Sequence, residues 1–415
     1  MQQSPKVTII GAGVSGLCAA IALKNAGITA QIIEAQSSLG GRVQTTLKDN
    51  LILDHGFQVL LDSYPAAQKY LDLKTLDLVK FAPGAIIYKG GKSTKVGDPT
   101  RDASFLWATA FSSIGSIKDK LKMFSLSRKL KQKSLKSIFE AKEISTLEYL
   151  KQEGFSEKII ENFFKPFYAG IFLETELSTS SRMFEFVFKM FSEGSATLPS
   201  TGIAAISIQL ARQLEEGQIQ LNSSASRVQG SKITMDDGTQ VHSDYTIIAG
   251  QADRLIPNLP ISNLQWHEVT VLYFKTNHKG FGKPIIGLVA DKGTLTNNFH
   301  FLQDLFKGHD NVISVSVVKA HEHEEHELAA RVRMELKEYC HIDLGEVIEV
   351  KKIKKALPNL RNINYCMEST ETQLTDHIYL AGDHLSNGSL NAAMLNGEVA
   401  AQAVIDKIEG KVLVG

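Results

Sequence analysis

The sequence predicts an α/β fold, and three of its features support that prediction. A glycine-rich turn stands between a short apolar strand and an alanine-rich helix near the start of the chain. A second apolar strand follows this helix and ends on an acidic residue. Near the other end, a strand runs through Gly382-Asp383 into a loop and a long helical segment. Strands that alternate with helices are typical of a parallel sheet covered by helices.

Composition and charge exclude several classes of function. Hydrophobic residues make up 43% of the 415 residues and charged residues 22%, typical of a globular chain of about two or three domains. The chain has 45 Lys and Arg against 45 Asp and Glu, so we expect no nucleic-acid partner. The three cysteines are too few and too scattered for a disulfide framework or a zinc site, so we predict no metal. They fit a reducing compartment, and a cytoplasmic location is therefore predicted.

The first strand, turn and helix predict a Rossmann-type nucleotide-binding unit. The stretch Val7–Ile10 is predicted to be a strand, residues 11–16 have the pattern G-x-G-x-x-G, and Leu17–Ala26 favours helix. Thr29–Ile33 is predicted to be the second strand. The run Val7–Leu23 is uncharged, so an export signal or a short membrane span is an alternative, but a nucleotide-binding turn explains its three glycines better.

Each residue of the glycine motif has a physical role in such a unit. Gly11 permits the tight turn, Gly13 lets a pyrophosphate approach the backbone, and Gly16 allows helix and strand to pack closely. The first helical turn, which contains Ser15, offers free N–H groups and a partial positive charge to phosphates. Glu34, at the end of the second strand, can accept hydrogen bonds from ribose hydroxyls and disfavours the 2′-phosphate of NADP.

The residues after Glu34 resemble a known superfamily. Glu34-Ala35 is followed by Gly40-Gly41-Arg42, which resembles the loop ending in G-G-R of the FAD-dependent amine oxidase, phytoene desaturase and protoporphyrinogen oxidase superfamily. The resemblance implies FAD, bound non-covalently, with Arg42 near its phosphates and Gly41 beside the pyrophosphate. Asp54–Val59 resembles the D-x-G segment of these proteins, which implies that Gly56, Phe57 and Gln58 lie against the isoalloxazine ring.

The C-terminal segment resembles the closing flavin motif of the same superfamily. Ile378–Ala381 is predicted to be a strand, and a helix is predicted to begin at Leu390. The resemblance implies that Asp383 bonds the ribityl or phosphate region and that the amides of Leu390 and Asn391 face the flavin. A helix N-terminus there would stabilise the negative charge of the reduced cofactor.

The middle of the chain matches the superfamily less completely. Thr197–Ile203 resembles its P-x-G-G-M segment in part. The resemblance implies that Val228 corresponds to a valine that contacts the adenine, and that Ala249 ends a core strand near the cofactor. The residues predicted to contact the cofactor are Gly11, Gly13, Ser15, Gly16, Glu34, Ala35, Gly41, Arg42, Gly56, Phe57, Gln58, Val228, Ala249, Gly382, Asp383, Leu390 and Asn391.

These matches predict a Rossmann-type FAD-binding domain with an inserted α+β substrate domain. Residues 1–62, 195–253 and 350–415 are assigned to the FAD-binding domain, and residues 63–194 and 254–349 to the substrate-binding domain. Residues 161–172 resemble the F-x-x-P stretch of phytoene desaturases and protoporphyrinogen oxidases. The aromatic side chains between Phe163 and Phe191 predict an apolar substrate cavity, although each of them individually favours the core.

The predicted function is an FAD-dependent oxidoreductase that removes a hydride from an apolar substrate, closest to the phytoene desaturases. A flavin amine oxidase is the first alternative, but residues 384–388 contain no Tyr or Trp to cage an amine. A lipid carrier of the same fold is the second alternative, and the intact cofactor motifs argue against it. No catalytic acid or base is assigned; His55 and His384 are predicted near the flavin, where packing is the commoner role.

A basic segment and a histidine-rich segment need separate interpretations. Residues 117–136 hold eight basic residues and one acidic residue interleaved with apolar ones, which indicates a solvated helix face or a peripheral membrane contact. Residues 321–326 contain three histidines, but their spacing does not match that of a zinc helix.

Overall fold

The computed structural model describes residues 5–98, 101–102, 114–257, 259 and 264–411. The strands are β1 Val7–Ile10, β2 Ala30–Ile33, β3 Thr45–Lys48, β4 Leu51–Asp54, β5 Leu60–Leu61, β6 Leu78–Lys80, β7 Gly84–Lys89, β8 Lys92–Gly97, β9 Ala196–Pro199, β10 Ile219–Gln220, β11 Ala225–Gln229, β12 Lys232–Met235, β13 Gln240–His242, β14 Tyr245–Ile248, β15 Trp266–Thr276, β16 Ile286–Val289, β17 Thr296–Phe301, β18 Val312–Val317, β19 Leu344–Pro358 and β20 Ile378–Leu380.

The α-helices are α1 Val14–Asn25, α2 Pro65–Tyr70, α3 Ile117–Gln132, α4 Leu135–Phe139, α5 Thr146–Gln152, α6 Glu157–Ile159, α7 Lys165–Phe172, α8 Ser181–Glu193, α9 Ala205–Ala211, α10 Glu325–Cys340, α11 Ser369–Thr372 and α12 Leu390–Ile408. A π-helical turn, Ile160–Phe164, joins α6 to α7, and short 3₁₀ turns lie at Ala252–Arg254, Leu302–Asp304 and Asp383–Leu385.

A parallel sheet confirms the predicted α/β fold. Its strand order is β10-β2-β1-β14-β20, and all four pairings are parallel. The central strand β1 is apolar because both its faces are covered, and Ile9 pairs with Ile32 on one side and Ile247 on the other. The uncharged run at the start of the chain thus folds into β1, the turn and most of α1. Among the described residues, no helix is long and apolar enough to cross a membrane.

The first and last helices pack closely on this sheet. A Cβ added to Gly397 of α12 would overlap the Ser15 carbonyl oxygen of α1, and one added to Gly16 would overlap the Gly11 carbonyl oxygen. Glycine at these two positions therefore lets the backbones approach. The start of α1 therefore packs against the interior of α12, about two turns from the N-terminus of that helix.

A second, seven-stranded sheet has the order β19-β15-β18-β17-β16-β7-β8, with β16 and β7 as its parallel pair. Helix α10 packs on it through an apolar cluster that includes Phe274, Phe299 and Leu336. Helix α8 packs against α3, α4 and α5. The two segments predicted to form the substrate domain therefore contribute strands to one sheet. The boundary predicted at residue 350 falls inside β19, and the division into domains stays a prediction.

Candidate functional site

A cavity of about 1370 Å³ is lined by loops that follow strands of the parallel sheet, by parts of the seven-stranded sheet and by the helices of residues 117–193. Its lining includes a residue from the loop after each of four parallel strands: Gly13 after β1, Gln36 after β2, Ala249 after β14 and Gly382 after β20. The carboxyl ends of parallel strands are the usual ligand-binding edge of such sheets, because the loops that follow them meet there. The cavity is therefore the candidate active site.

The N-terminus of α1 forms a cradle at one end of this cavity. The Ser15 hydroxyl is buried and has no hydrogen-bond partner among the described residues, although Ser15 lines the cavity. A Cβ on Gly13 would meet no atom within 4 Å, so the backbone there is open to a ligand. Gly40, at φ +106°, donates its N–H to the Ala12 carbonyl at 2.9 Å and brings the G-G-R loop against the turn. An unpaired hydroxyl and an open helix N-terminus suit a phosphate group.

Arg42 and Asp383 come together across the cavity. Their side chains form an ion pair, in which Asp383 is buried. The Arg42 guanidinium also lies over the Trp266 ring, 5.2 Å from its centroid. The Gln58 side-chain amide donates to the Arg42 carbonyl at 2.8 Å, which fixes the G-G-R loop to the D-x-G segment. Three separately predicted motifs therefore meet at one site.

The D-x-G segment is anchored by a buried carboxylate. Asp54 accepts hydrogen bonds from the Thr45 hydroxyl at 2.5 Å and from the Ile203 N–H at 3.0 Å. Burial raises the pKa of Asp54 to about 6, and these two hydrogen bonds oppose the shift in part. Phe57, in the following turn, packs edge-on against Phe81 with centroids 5.7 Å apart. The anchor holds Gly56, Phe57 and Gln58 in the cavity wall.

Two histidines line the same part of the cavity. Burial lowers the pKa of His55, and its Nε2 lies 2.8 Å from the Thr46 hydroxyl oxygen. Burial also lowers the pKa of His384, and the neighbouring Asp383 carboxylate opposes this shift. Both imidazoles are therefore neutral at pH 7.

Six of the predicted contact residues do not reach the cavity lining: Gly11, Gly16, Glu34, Ala35, Val228 and Asn391. The Glu34 carboxylate instead accepts from the N–H groups of Ala12 at 2.7 Å and Gln36 at 2.8 Å. It thereby ties the end of β2 to the glycine turn. Its predicted ribose contact stays a prediction.

Val228 and Asn391 are buried in the protein interior. Val228 belongs to an apolar cluster with Ile33 and Ile248, and the Asn391 side-chain oxygen accepts from the Ala66 N–H at 3.0 Å. Leu390, the residue before Asn391, lines the cavity. The structure thus brings eleven of the predicted residues together at the cavity: Gly13, Ser15, Gly41, Arg42, Gly56, Phe57, Gln58, Ala249, Gly382, Asp383 and Leu390.

Asn396 is a structural residue of the site that the motifs did not predict. Its side-chain amide lies fully buried in α12, where it donates to the Gly382 carbonyl at 2.7 Å and to the Ser386 hydroxyl at 2.8 Å. Its oxygen accepts from the Met367 N–H at 2.9 Å. In the sequence, the feature that could indicate this role is an asparagine among the small residues of the predicted C-terminal helix. Asn396 holds the loop that carries Asp383.

Aromatic and aliphatic side chains form the other end of the cavity. The π-helical turn before α7, α7 itself and α8 supply rings to this end, namely Phe163, Phe167, Tyr168, Phe172, Phe188 and Phe191. Phe163 and Phe167 stack with centroids 5.4 Å apart. Phe186, on the opposite face of α8, is fully buried in the core. Phe184 is also fully buried, although it lies on the same face as Phe188, with ring centroids 5.7 Å apart. The predicted aromatic segment is therefore divided between cavity and core.

The basic segment folds as α3, and one face of this helix borders the cavity. The lining residues from it are Lys120, Met123, Phe124, Ser127, Arg128, Lys131 and Gln132. On its outer surface Ile117 is 74% exposed and Leu121 66% exposed. Asp119, the acidic residue of the segment, is buried at the helix N-terminus, where it accepts from the Ser116 and Ser156 N–H groups at 2.7 Å and 2.9 Å.

Comparisons with known proteins agree with this geometry. The model of the flavin-containing amine oxidoreductase family matches residues 14–405. Protoporphyrinogen oxidase 2 of Arabidopsis thaliana is 28% identical over 165 residues, which are 40% of this chain and 32% of that protein. Hydroxysqualene dehydroxylase of Rhodopseudomonas palustris is 42% identical over 69 residues, 16% of each chain. The matches thus span between about a sixth and a third of these relatives' own length.

Solved structures share the fold over nearly the whole chain. An oxidoreductase from Methanosarcina mazei has a TM-score of 0.72 at 17% identity and covers 97% of this chain and 100% of its own. Putrescine oxidase bound to putrescine has a TM-score of 0.69 at 17% identity, with 97% of this chain and 99% of its own covered. At such identities the likeness concerns the fold.

Proposed function

Because the chain belongs to the flavin-containing amine oxidoreductase family, we propose that it is an FAD-dependent oxidoreductase that removes a hydride from an apolar substrate. The observation that supports this most directly is the cavity itself. One of its ends has the polar cradle of Gly13, Ser15 and Gly41, and the other is lined by aromatic rings. A dinucleotide at the first end and an apolar molecule at the second would meet inside one enclosure.

The residues of the cradle fit FAD. The unpaired Ser15 hydroxyl and the N-terminus of α1 would bind the pyrophosphate, and Arg42 would add a positive charge. Asp383 would accept from the ribityl region, and Glu34 from the ribose. When bound, FAD supplies the hydride acceptor. The chain contributes the binding of substrate, its orientation and the exclusion of water.

An apolar substrate is favoured by the walls that it would touch. Phe167, Phe188 and Met183 present carbon atoms to the cavity. Burial of apolar surface contributes roughly 25 cal/mol per Å², so a long hydrocarbon chain needs no specific polar contact to bind well. The same walls keep water from the reacting carbon atoms.

Amine oxidation is the second candidate, since the family and one structural neighbour include amine oxidases. A cationic amine needs an aromatic face or a carboxylate. Trp266 offers a ring in the cavity, but Arg42 and Lys355 already lie over it, at 5.2 Å and 5.8 Å from the centroid. The Asp383 carboxylate is paired with Arg42. The Trp266 ring and the Asp383 carboxylate therefore already have cationic partners, which disfavours a further cation at this end of the cavity.

Anaerobic reduction of the bound flavin tests the proposal. The purified protein with FAD is mixed with squalene, an unsaturated fatty acid or putrescine, and loss of the visible flavin absorption is followed. We expect reduction by one of the apolar compounds and none by putrescine. Rapid reduction by putrescine alone would replace the proposal with the amine oxidase. Protein that does not bind FAD at all would favour the lipid carrier.

Peripheral membrane contact through α3 is part of the proposal. Ile117 and Leu121 lie one turn apart on its outer surface, next to Lys118 and Lys122. Exposed apolar side chains among lysines suit the surface of an anionic bilayer. Because Ile117 and Leu121 lie on the same face of α3 as Phe124 and Arg128, which line the cavity, this contact would place the cavity mouth at the membrane. Location in the cytoplasm stays a prediction.

A further inference from the structure

The cavity carries a charge that the chain as a whole lacks. The sequence has equal numbers of basic and acidic residues. Among the described residues, however, the cavity lining contains six cationic side chains and two acidic ones. The cations are Arg42, Arg101, Lys120, Arg128, Lys131 and Lys355, and the acids are Asp98 and Asp383. An excess of one charge in a largely apolar enclosure indicates a ligand of the opposite sign.

The cations fall into two groups at different ends of the cavity. Arg42 pairs with Asp383, and Lys355 bonds the Gln251 side chain over the same Trp266 ring, so these belong to the cofactor end. Of the remaining cations, Arg101, Arg128 and Lys131 lie near the C-terminal end of α8. Arg101 donates to the Phe191 carbonyl at 2.7 Å, and the next residue, Ser192, accepts from the Ser127 hydroxyl at 3.2 Å. Arg101 and the lining face of α3 therefore meet at the mouth.

Most lysines of the basic segment that do not line the cavity have partners, and the exposed Lys118 has none among the described residues. Lys129 pairs with Glu153 at 2.6 Å, Lys133 with Glu185, and Lys122 donates to the Gly154 carbonyl. Arg128 and Lys131, which line the cavity, have no acidic partner within the described ranges. Because they are three residues apart on one helix, their charges are neighbours and repel each other. An anion placed between two such cations would relieve this repulsion.

We propose that the substrate is amphipathic and that its anionic head, a carboxylate or a phosphate, is bound between Arg128 and Lys131 at the mouth of the cavity. The apolar body then lies along Phe191, Phe188 and Phe167 toward the cofactor end. This inference rests on the proposed function and narrows its substrate class. It assigns Arg128 and Lys131 to substrate binding, and it leaves the site of oxidation within the apolar body.

Binding of matched ten-carbon probes to the FAD-loaded protein tests the inference. Dissociation constants for decanoate, decyl phosphate and decanol are measured by equilibrium dialysis at low salt. We expect decanoate or decyl phosphate to bind at least about tenfold more tightly than decanol. The preferred anion identifies the head group. The preference should shrink at high salt, because the two cations are exposed.

A double variant and a matched control test whether Arg128 and Lys131 cause the preference for the anionic probes. Arg128→Gln with Lys131→Gln should abolish the preference for the anion and leave decanol binding unchanged. Lys118→Gln with Lys136→Gln removes the same charge from exposed positions outside the lining and should keep the preference. Equal binding of all three probes by the parent, or an intact preference in the first variant, would overturn the inference.

Three further outcomes distinguish this inference from a membrane role of the two cations and from the proposed reaction. If the first variant loses binding to anionic vesicles but keeps its preference for decanoate over decanol, the two cations serve a lipid surface and the inference fails. If no probe ever reduces the flavin, yet the anion preference depends on Arg128 and Lys131, the inference holds and the proposed reaction fails. If uncharged hydrocarbons reduce the flavin and no anion preference exists, the proposed reaction holds and the inference fails.

Discussion

At the scale of single residues, Glu34 combines two roles. Its carboxylate accepts from the N–H of Ala12 in the glycine turn and from that of Gln36 in the loop after β2, and it is also the predicted ribose acceptor. We expect Glu34→Ala to weaken FAD binding by about 1.5–3 kcal/mol, or roughly 10- to 150-fold, because charge-assisted hydrogen bonds are lost. Titration of the apo-protein with FAD measures this. Glu216→Ala, at an exposed acid, is the control. Unchanged affinity in Glu34→Ala would refute the assignment of Glu34.

Asp54 makes the stability of the apo-protein depend on pH. Burial raises its pKa from 3.8 to about 6, so the folded protein holds a proton that the unfolded chain has released. The stability that Asp54 contributes is complete below about pH 4 and is lost as the pH rises through 6. By pH 7 the loss is on the order of 3 kcal/mol.

Asp54→Asn removes this dependence, because the neutral amide can still accept from Thr45 and Ile203. Urea unfolding from pH 3.5 to 7 should give parallel curves for parent and variant below about pH 4. Above that pH the parent should lose stability and the variant should not. A variant that follows the parent through pH 7 would show that Asp54 titrates normally.

Most residues of the site could be predicted individually from their motifs, but the contacts between them could not. Arg42 and Asp383 each belong to a motif, yet they are 341 positions apart, and their ion pair exists only once β1, β14 and β20 align in one sheet. Asn396 follows no flavin motif, because its role is to hold the loop from within a helix. Val228 was predicted from resemblance alone, and its side chain points into an apolar cluster.

At the scale of elements, α3 shows what a pattern can and cannot predict. The sequence predicts a basic amphipathic helix over residues 117–136. It does not predict that one face borders the cavity, because that depends on the packing of α3 against α8. The paired lysines of the helix are solvated, and its surface also exposes Ile117 and Leu121; the membrane contact stays a prediction.

The membrane contact of α3 is testable with vesicles. Ile117→Ser with Leu121→Ser removes the exposed apolar side chains without touching the cavity lining. We expect the parent to sediment with anionic vesicles at low salt and the variant to sediment several-fold less, since both apolar insertion and charge contribute. Leu47→Ser, at a residue that is 75% exposed on β3, should sediment like the parent. Equal sedimentation of all three proteins would remove the membrane contact from the proposal.

At the scale of the whole molecule, the cavity connects the parallel sheet to the seven-stranded sheet, and its lining comes from residues between Gly13 and Ala393. FAD bound there would contact segments from both ends of the chain. A ligand that binds only the folded state stabilises it by about 2.7 kcal/mol at a hundred times its Kd. We therefore expect FAD to raise the Tm of the apo-protein in one cooperative transition, and NADP to leave it unchanged because Glu34 repels a 2′-phosphate.

The FAD-loaded protein also shows whether the cofactor is bound covalently. Cys18 is buried in the protein interior, outside the cavity lining, and Cys340 and Cys366 also lie outside that lining. Non-covalent binding is accordingly expected, and acid precipitation should release the yellow colour to the supernatant. FAD that stays in the acid pellet would contradict non-covalent binding. A Tm that is insensitive to FAD in fully apo-protein would contradict the cradle of Ser15 and Gly41, and with it the proposal that this fold uses its cavity for flavin chemistry.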